Sequence, residues 1–268
     1  MSAKPHTSQK PSCVVAPIPH IGGERRTYQG LTQPFAAHAH RHYVIGRVEE
    51  GERELELNGR RLRIGPGDLV ALNPGDVHGC RHVSDRLFAY DSVTIAAEVL
   101  DGASLRFPAG APAKARQAYD GLLRSIEEGG GAETLERARY LASCLDAKEG
   151  SRATASAHEG SVLRVSAHMR GHLAEPHAIA GLAAMEGISA YALIRAYRRR
   201  FSITPLQHLV SLRVERACEL LSEGATTADV AAKTGFSDQA HLTRAFRQRV
   251  GTTPGAYKRM AAQGGPQK

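Results

Sequence analysis

The sequence predicts an α+β multidomain protein, with an N-terminal antiparallel β-barrel that carries two added helices and a C-terminal domain that is all helical. Residues 25–105 consist of short alternating apolar and polar runs between turn residues, which is typical of a small barrel or sandwich. From residue 112 onward the apolar spacing becomes that of α-helices. A segment of the last third also occurs twice, as residues 193–205 and 242–254, at a constant offset of 49.

Changes in composition predict the domain boundaries. Residues 1–24 are rich in proline and polar residues and predict a flexible arm. Residues 25–147 contain the barrel and its helices, and residues 148–160 lack large apolar residues, as a linker does. Residues 161–262 then form the helical domain, and residues 263–268 form a disordered tail.

The barrel region carries a strong hairpin signal and a group of histidines. Asn58-Gly59 lies between two alternating runs, which predicts a type I′ turn. His38, His40 and His42 alternate along one predicted strand, so their side chains would share a face.

Two amphipathic helices are predicted at residues 113–127 and 133–146, where apolar residues recur every three or four positions. They can pack back onto their own barrel or pair with a second copy of the chain. The second alternative makes a homodimer the expected state.

Charge is unevenly distributed along the chain. Residues 1–160 contain 20 Lys+Arg and 20 Asp+Glu, whereas residues 161–268 contain 15 and 7 and so account for the whole net charge of +8. A neutral half joined to a basic half predicts that only the second half meets a polyanion. Charge alone does not distinguish DNA from RNA or an anionic membrane.

No long apolar run and no secretory leader is found, which predicts a cytoplasmic protein without a membrane contact. The four cysteines are far apart, which favours reduced thiols over a zinc or disulfide framework. A sensor role remains open for Cys80, which is close to the histidines.

The repeated segment belongs to two predicted helix-turn-helix units. In the first, residues 179–185 form a short helix, Gly187 makes the turn, and Ser189 caps a second helix that ends near Phe201. This spacing is that of the DNA-binding helix-turn-helix, whose second helix enters the major groove.

The second copy follows the same plan. Thr227 is predicted to cap residues 228–233, Gly235 makes the turn, and Ser237 or Asp238 caps a helix that ends near Val250. Residues 205–221 are predicted to form a connecting helix that spaces the two recognition helices by about one DNA turn, roughly 34 Å.

Residues 162–260 resemble the DNA-binding domain of the AraC/XylS family of bacterial regulators. The matching segments read LAAMEGISAYALIRAYRRRFSITP, LRVERACELLSEG and VAAKTGFSDQAHLTRAFRQRVGTTPGAYKR. Ser202 departs from the family pattern, because it replaces the glycine that usually follows the first recognition helix. The resemblance implies contacts to base edges from Tyr191, Ile194, Arg195, Gln239, Ala240, His241 and Arg244. Arg198 and Arg247 lie three residues beyond the two arginines and are expected to contact phosphates.

The N-terminal half resembles the cupin-type barrel that many such regulators use to sense an effector. PFAAHAHRHYVIG and GPGDLVALNPGDVH are similar to the two cupin motifs, and the second ends in His78. The resemblance implies a small organic effector held by His38, His40, His42 and His78. A structural role alone, or a metal bound by His38, His40 and His78, are the alternatives. Val44 or Ile45 occupies the place of the glutamate that cupin enzymes use as a ligand.

The leading hypothesis is a DNA-binding transcription regulator controlled by an unidentified small-molecule effector, without catalytic residues and without a cofactor. Its expected partners are double-stranded promoter or operator DNA, a second copy of the chain and RNA polymerase. A cupin-type metalloenzyme tethered to DNA is the alternative from a different class, and a barrel that only dimerises is a third hypothesis.

Overall fold

A computed structural model describes residues 11–83, 87–106, 111–145 and 158–263 of the 268-residue chain. The predicted linker therefore lies almost wholly outside the described residues, as does the predicted tail apart from residue 263. None of the helices in the described ranges is long and apolar enough to cross a membrane.

Nine strands form two antiparallel sheets in the described part of the N-terminal half. One sheet has the order β1-β2-β9-β4-β7 and the other the order β3-β8-β5-β6. The strands are β1 (Ser12–Ile18), β2 (Gly23–Leu31), β3 (Phe35–His38), β4 (Tyr43–Glu50), β5 (Arg53–Leu57), β6 (Arg60–Ile64), β7 (Leu69–Leu72), β8 (His78–His82) and β9 (Phe88–Ile95). The predicted hairpin joins β5 to β6, and both Asn58 and Gly59 have the positive φ that a type I′ turn requires.

The described residues after the barrel contain only helices as regular structure. Two helices follow the sheets directly and seven form the C-terminal half. They are α1 (Ala113–Glu127), α2 (Gly131–Leu145), α3 (Glu159–Gly171), α4 (Ile179–Ala184), α5 (Ala190–Phe201), α6 (Pro205–Ser222), α7 (Thr227–Lys233), α8 (Gln239–Val250) and α9 (Pro254–Gln263). Helix α3 begins inside the predicted linker. The predicted combination of a β-domain and a helical domain is confirmed.

The prediction of a flexible arm at residues 1–24 is wrong for its second half. Strand β1 pairs with β2 along its whole length and forms the edge of the five-stranded sheet. An edge strand tolerates Pro17, because one side of the strand needs no ladder hydrogen bond. Val15 and Ile18 are buried, so this strand gains apolar contacts that the proline content concealed.

Helices α1 and α2 pack back onto the barrel. Tyr119, Leu122 and Leu141 are completely buried in one core with Ile45 and Ile95 of the sheet. The hydroxyl of Tyr119 donates to the backbone oxygen of Asp91 at 3.0 Å. Of the two alternatives for these helices, the structure contains the contact with their own barrel, and the homodimer stays a prediction.

The barrel and the helical half are in direct contact. The Tyr28 hydroxyl donates to the backbone oxygen of Val250 at the end of α8, at 3.1 Å. The backbone N–H of Arg41 donates to Glu215 of α6 at 2.7 Å. Strand β1 lies against α9, and Val15 joins the core of the second helix-turn-helix. The barrel is therefore packed against the elements that carry the second copy of the motif, and its Ala39 and Val77 also join the apolar core that contains Phe201 of the first copy.

Candidate functional site

The first helix-turn-helix has the predicted form. Helix α4 ends at Ala184, the chain turns at Gly187, and the Ser189 hydroxyl accepts the N–H of Ala192 at 3.1 Å to cap α5. Leu193, Ala196, Tyr197 and Phe201 form the buried face of α5. The opposite face of α5 is left to solvent.

The second copy differs from the prediction at one cap. Thr226 caps α7, where Thr227 was expected, because its hydroxyl accepts the N–H of Asp229. Asp238 caps α8 by accepting the N–H of His241 at 2.7 Å. Helix α6 connects the copies with 18 residues, or about 27 Å of helix.

Most of the predicted DNA-contacting side chains are exposed on α5 and α8. Ile194 is half-buried, and so is His241, whose Nδ1 lies 3.2 Å from the hydroxyl of Ser237. This contact restrains the His241 ring at the start of α8. The other predicted residues are exposed: Tyr191, Arg195, Arg198, Gln239, Ala240, Arg244 and Arg247.

Arginines occupy equivalent, exposed positions in the two recognition helices. Arg195 corresponds to Arg244 and Arg198 to Arg247, each pair 49 residues apart. Two helices that present the same cationic pattern fit a polyanion with a regular repeat.

Three of the four predicted effector-binding histidines come together inside the barrel. His38 ends β3 and His78 begins β8, and the two residues are paired across these strands. The ring centre of His38 lies 4.3 Å from that of His78 and 4.7 Å from that of His40, and His40 lies 5.0 Å from His78. The sequence did not predict β8, because its residues HGCRH are mostly polar.

His42 does not join this cluster. The predicted single strand is interrupted after His38, and a bend carries His40 and His42 into the connection to β4. The Nδ1 atom of His42 lies 3.6 Å from Glu215 of α6. The prediction that the first three histidines share one strand face is therefore wrong, and His42 faces the helical domain instead.

Burial keeps the three clustered imidazoles neutral at pH 7. It lowers the pKa of His38 and that of His40 well below the usual histidine range, with an added effect from the neighbouring imidazoles. Burial also lowers the pKa of His78 to about 4. The Nδ1 atom of His38 lies 2.7 Å from the backbone oxygen of Ala36, which suits an N–H donor there and leaves Nε2 as an acceptor.

The cluster resembles a metal site only in part. Ligand nitrogens of His38, His40 and His78 lie within 4.8 Å of one another, a donor set that iron, manganese or nickel accepts. Among the described residues that line the barrel pocket there is no carboxylate, whereas Arg26 and Arg249 both line it. Two guanidinium groups oppose a dication, so the residues do not fit the metal centre of a cupin enzyme.

Two cavities meet at these histidines. The barrel pocket, of about 90 Å³, is lined mainly by apolar and aromatic side chains such as Tyr28, Phe88 and Tyr90. The interdomain cavity, of about 430 Å³, lies between the barrel and helices α6, α8 and α9. The residues that line both are Arg26, His38, His40, Thr94 and Arg249.

Arg249 is a site residue that the sequence analysis missed. It is 9% exposed although it belongs to the recognition helix α8. Arg249 follows Leu242, Ala245 and Phe246 at helical spacing, which places it near the apolar face of α8, but this signal is ambiguous because Arg200 has the same spacing in α5 and is exposed. A cation on an apolar face requires a partner.

The thiols of Cys80 and Cys218 do not have the character of a redox sensor. Burial raises the pKa of Cys80 above its usual value and that of Cys218 to about 12. Both therefore remain thiols at neutral pH, and a thiol reacts much more slowly than a thiolate.

Comparisons with known proteins agree with this arrangement of domains. Residues 20–173 match the family model described as an AraC-like ligand binding domain, and residues 182–260 match a helix-turn-helix domain. The chain is 29% identical over 245 residues to the uncharacterized HTH-type transcriptional regulator YbfI of Bacillus subtilis (strain 168), covering 84% of this chain and 87% of that protein. It is 33% identical over 99 residues to the MmsAB operon regulatory protein of Pseudomonas aeruginosa, covering 37% of this chain and 32% of that protein.

The fold also has solved counterparts. The crystal structure of ToxT from Vibrio cholerae O395 superposes with a TM-score of 0.61 at 12% identity, over 89% of this chain and 97% of that one. At that identity the likeness shows the fold alone. The family models, which together span most of the chain, carry the assignment. The chain belongs to the AraC family of transcriptional regulators, with an N-terminal ligand-binding domain and a C-terminal helix-turn-helix DNA-binding domain.

Proposed function

We propose that this regulator reads its operator through α5 and α8 together, one in each of two successive major-groove segments. The observation that carries this proposal is the pair of exposed arginines at equivalent positions of the two helices, Arg195 with Arg244 and Arg198 with Arg247. A forked guanidinium bonds two acceptors of guanine at once, which suits Arg195 and Arg244 one turn into each helix.

The base-edge set comprises Tyr191, Ile194, Arg195, Gln239, Ala240, His241 and Arg244, and the phosphate set comprises Arg198 and Arg247. Glutamine suits adenine, and Ile194 and Ala240 suit the methyl group of thymine. Restraint by Ser237 gives His241 less freedom to adapt to a base than Gln239 has.

The N-terminal half binds a small organic effector in the joined barrel pocket and interdomain cavity, with His38, His40 and His78 as its polar anchors. Cavities of this size with a few convergent polar groups are the usual sites for small molecules. ToxT, which shares the fold, has been crystallised with an unsaturated fatty acid bound. A homodimer and a contact with RNA polymerase complete the proposed assembly.

Binding-site selection with the full chain tests the two arginine roles. Arg244→Ala should lose about 1–3 kcal/mol on the selected operator but little on random DNA, and it should relax the preference at one base pair. Arg247→Ala is the matched control, because it should weaken both DNAs alike and reduce the salt slope by about one. An unchanged sequence preference in Arg244→Ala would show that α8 does not read DNA as proposed.

A further inference from the structure

Arg249 is a buried cation whose charge is not compensated. Its Nε atom has no hydrogen-bond partner, and its Nη1 lies a long 3.4 Å from the backbone oxygen of Ala245 in its own helix. Within the described ranges, no Asp or Glu forms an ion pair with it. A guanidinium in such surroundings carries a desolvation cost that nothing visible offsets.

Other buried or half-buried arginines in the described part of the chain have more hydrogen-bond or ion-pair partners. Arg26, which lines the same cavities, pairs with Glu24. The Nε atom of Arg53 also lacks a partner, but both of its Nη atoms donate to backbone oxygens, at 2.9 and 3.0 Å, and its guanidinium lies over the ring of Phe88. Arg213 likewise donates to two backbone oxygens, both at 2.9 Å.

The first helix-turn-helix supplies an internal reference. Arg200 is the equivalent of Arg249 at the offset of 49, and it is exposed and pairs with Glu159 at 3.3 Å. An arginine at this position of the repeat can therefore be exposed and paired, as Arg200 is. In the second copy the equivalent side chain lines a cavity instead.

The surroundings of Arg249 define what could compensate it. It lines the cavity together with His38 and His40, next to an aromatic wall that includes Tyr28 and Tyr90. The carboxylates that line the interdomain cavity are each held by a partner other than Arg249: Glu24 by Arg26, Glu215 by the backbone N–H of Arg41, Glu219 by the Arg41 side chain and Glu223 by Arg216. An anionic group placed beside Arg249 would have a charge-assisted, bidentate partner. An apolar body attached to that group would bury its surface in the joined barrel pocket and interdomain cavity.

We propose that the effector of this regulator is an organic carboxylate, whose anionic group pairs with Arg249 and whose apolar body extends from the interdomain cavity into the barrel pocket beside His38 and His40. This inference rests on the proposed function, because it names the ligand class of that same cavity. Arg249 belongs to the recognition helix, two residues after Arg247. Binding of the carboxylate therefore acts directly on the helix that reads DNA.

Thermal unfolding of the full chain at constant ionic strength tests this proposal. The probes are benzoate, phenylacetate, hexanoate and octanoate, each compared with its own primary amide. At least one acid should raise the melting temperature by about 2–4 °C at concentrations well above its Kd, while its amide does not. Arg249→Gln should abolish the shift, and the matched control Arg200→Gln should retain it.

Two more measurements keep the test decisive. Unliganded Arg249→Gln should melt no lower than the wild type, because it removes an uncompensated buried charge. If Arg249→Gln fails to fold, Arg249→Lys serves instead, since it keeps the charge and should keep part of the acid-specific shift.

The proposal is overturned if no acid raises the melting temperature more than its amide does, or if only a divalent metal such as Ni²⁺ stabilises the chain. It is also overturned if Arg249→Gln keeps the acid-specific rise or if Arg200→Gln loses it. These outcomes leave the DNA-reading proposal untouched, because binding-site selection measures it separately.

Discussion

The two helix-turn-helix copies begin alike and end in different surroundings. Both recognition helices have a side-chain cap, an exposed cationic face and an apolar buried face. The first ends at Ser202 and the second at Gly251, and both of these residues have positive φ. Both ends contact the barrel, since Ala39 and Val77 share an apolar core with Phe201. Among the described residues, however, only the second end is bound to the barrel by hydrogen bonds, from Tyr28 to Val250 and from Gln33 to Gly251.

The arginine at the end of each recognition helix shows the effect of these different surroundings on side-chain exposure. Arg200 and Arg249 occupy the same position of the repeat, seven residues after Leu193 and Leu242. The helix periodicity is identical, so it does not decide whether the charge is exposed. The packing of the barrel against α8 decides it, and this converts a surface cation into a cavity cation.

The largest effect is expected when both reading arginines are removed. Each single substitution, Arg195→Ala or Arg244→Ala, should weaken operator binding by about 1–3 kcal/mol. Because the two side chains belong to separate copies, the double variant should lose the sum of the two single losses. Titration of the operator with all three variants measures this. A double variant no weaker than Arg244→Ala would show that only the second copy reads bases.

The second-largest effect is expected at the turns of the two copies, which should differ in how much stability they lose when their glycine is replaced by alanine. Gly187 and Gly235 both have positive φ, but a Cβ at Gly187 would meet no atom within 4 Å. A Cβ at Gly235 would lie 2.6 Å from the backbone oxygen of Leu173 and 2.7 Å from Arg213. Gly187→Ala should therefore cost about 1–2 kcal/mol of unfolding free energy from the backbone alone.

Gly235→Ala adds the steric clash to that backbone strain, for a total of about 2–5 kcal/mol. Denaturant unfolding of the two variants compares them directly. Equal losses would mean that the backbone near Leu173 moves aside, and that the second turn is not as tightly packed as described.

The smallest effect concerns the helix ends. Ser202 has a φ of +55°, a conformation that is strained for most residues other than glycine, asparagine and aspartate. Ser202→Gly should stabilise the protein by about 0.5–1 kcal/mol, because it relieves this strain against a smaller entropic cost. The reverse change, Gly251→Ser, should destabilise it, since a Cβ there would lie 3.0 Å from the ring of Phe35. A shift of both variants in the same direction would contradict the comparison.

Local signals in the sequence were enough to predict most of the elements. The Asn58-Gly59 pair predicted its hairpin, and apolar spacing predicted α1, α5 and α8 close to their observed ends. These elements were predictable because turn chemistry and periodicity are properties of neighbouring residues. Strands β1 and β8 were not predicted, because β1 contains proline and β8 is mostly polar. Each is stabilised by pairing with neighbouring strands, β1 at the edge of its sheet and β8 between β3 and β5.

The sequence predicted a histidine-lined ligand site in the barrel, but it did not predict the full set of residues that line the site. The sequence singled out His38, His40 and His78, which do converge, but it also included His42, which faces α6 instead. Arg249 could not be assigned, because its burial depends on contacts between domains. Such contacts join residues more than 200 positions apart, as Tyr28 and Val250 show.

Val15 limits how freely the two halves can be recombined by protein engineering. It is 1% exposed and belongs to the apolar core around Val214, Leu221 and Tyr257. The core of the DNA-binding domain therefore includes a side chain from β1 of the N-terminal domain. A chimera that joins this DNA-binding domain to the N-terminal domain of another protein would leave a gap in that core. It would need either its own strand in the place of β1 or larger side chains on α9.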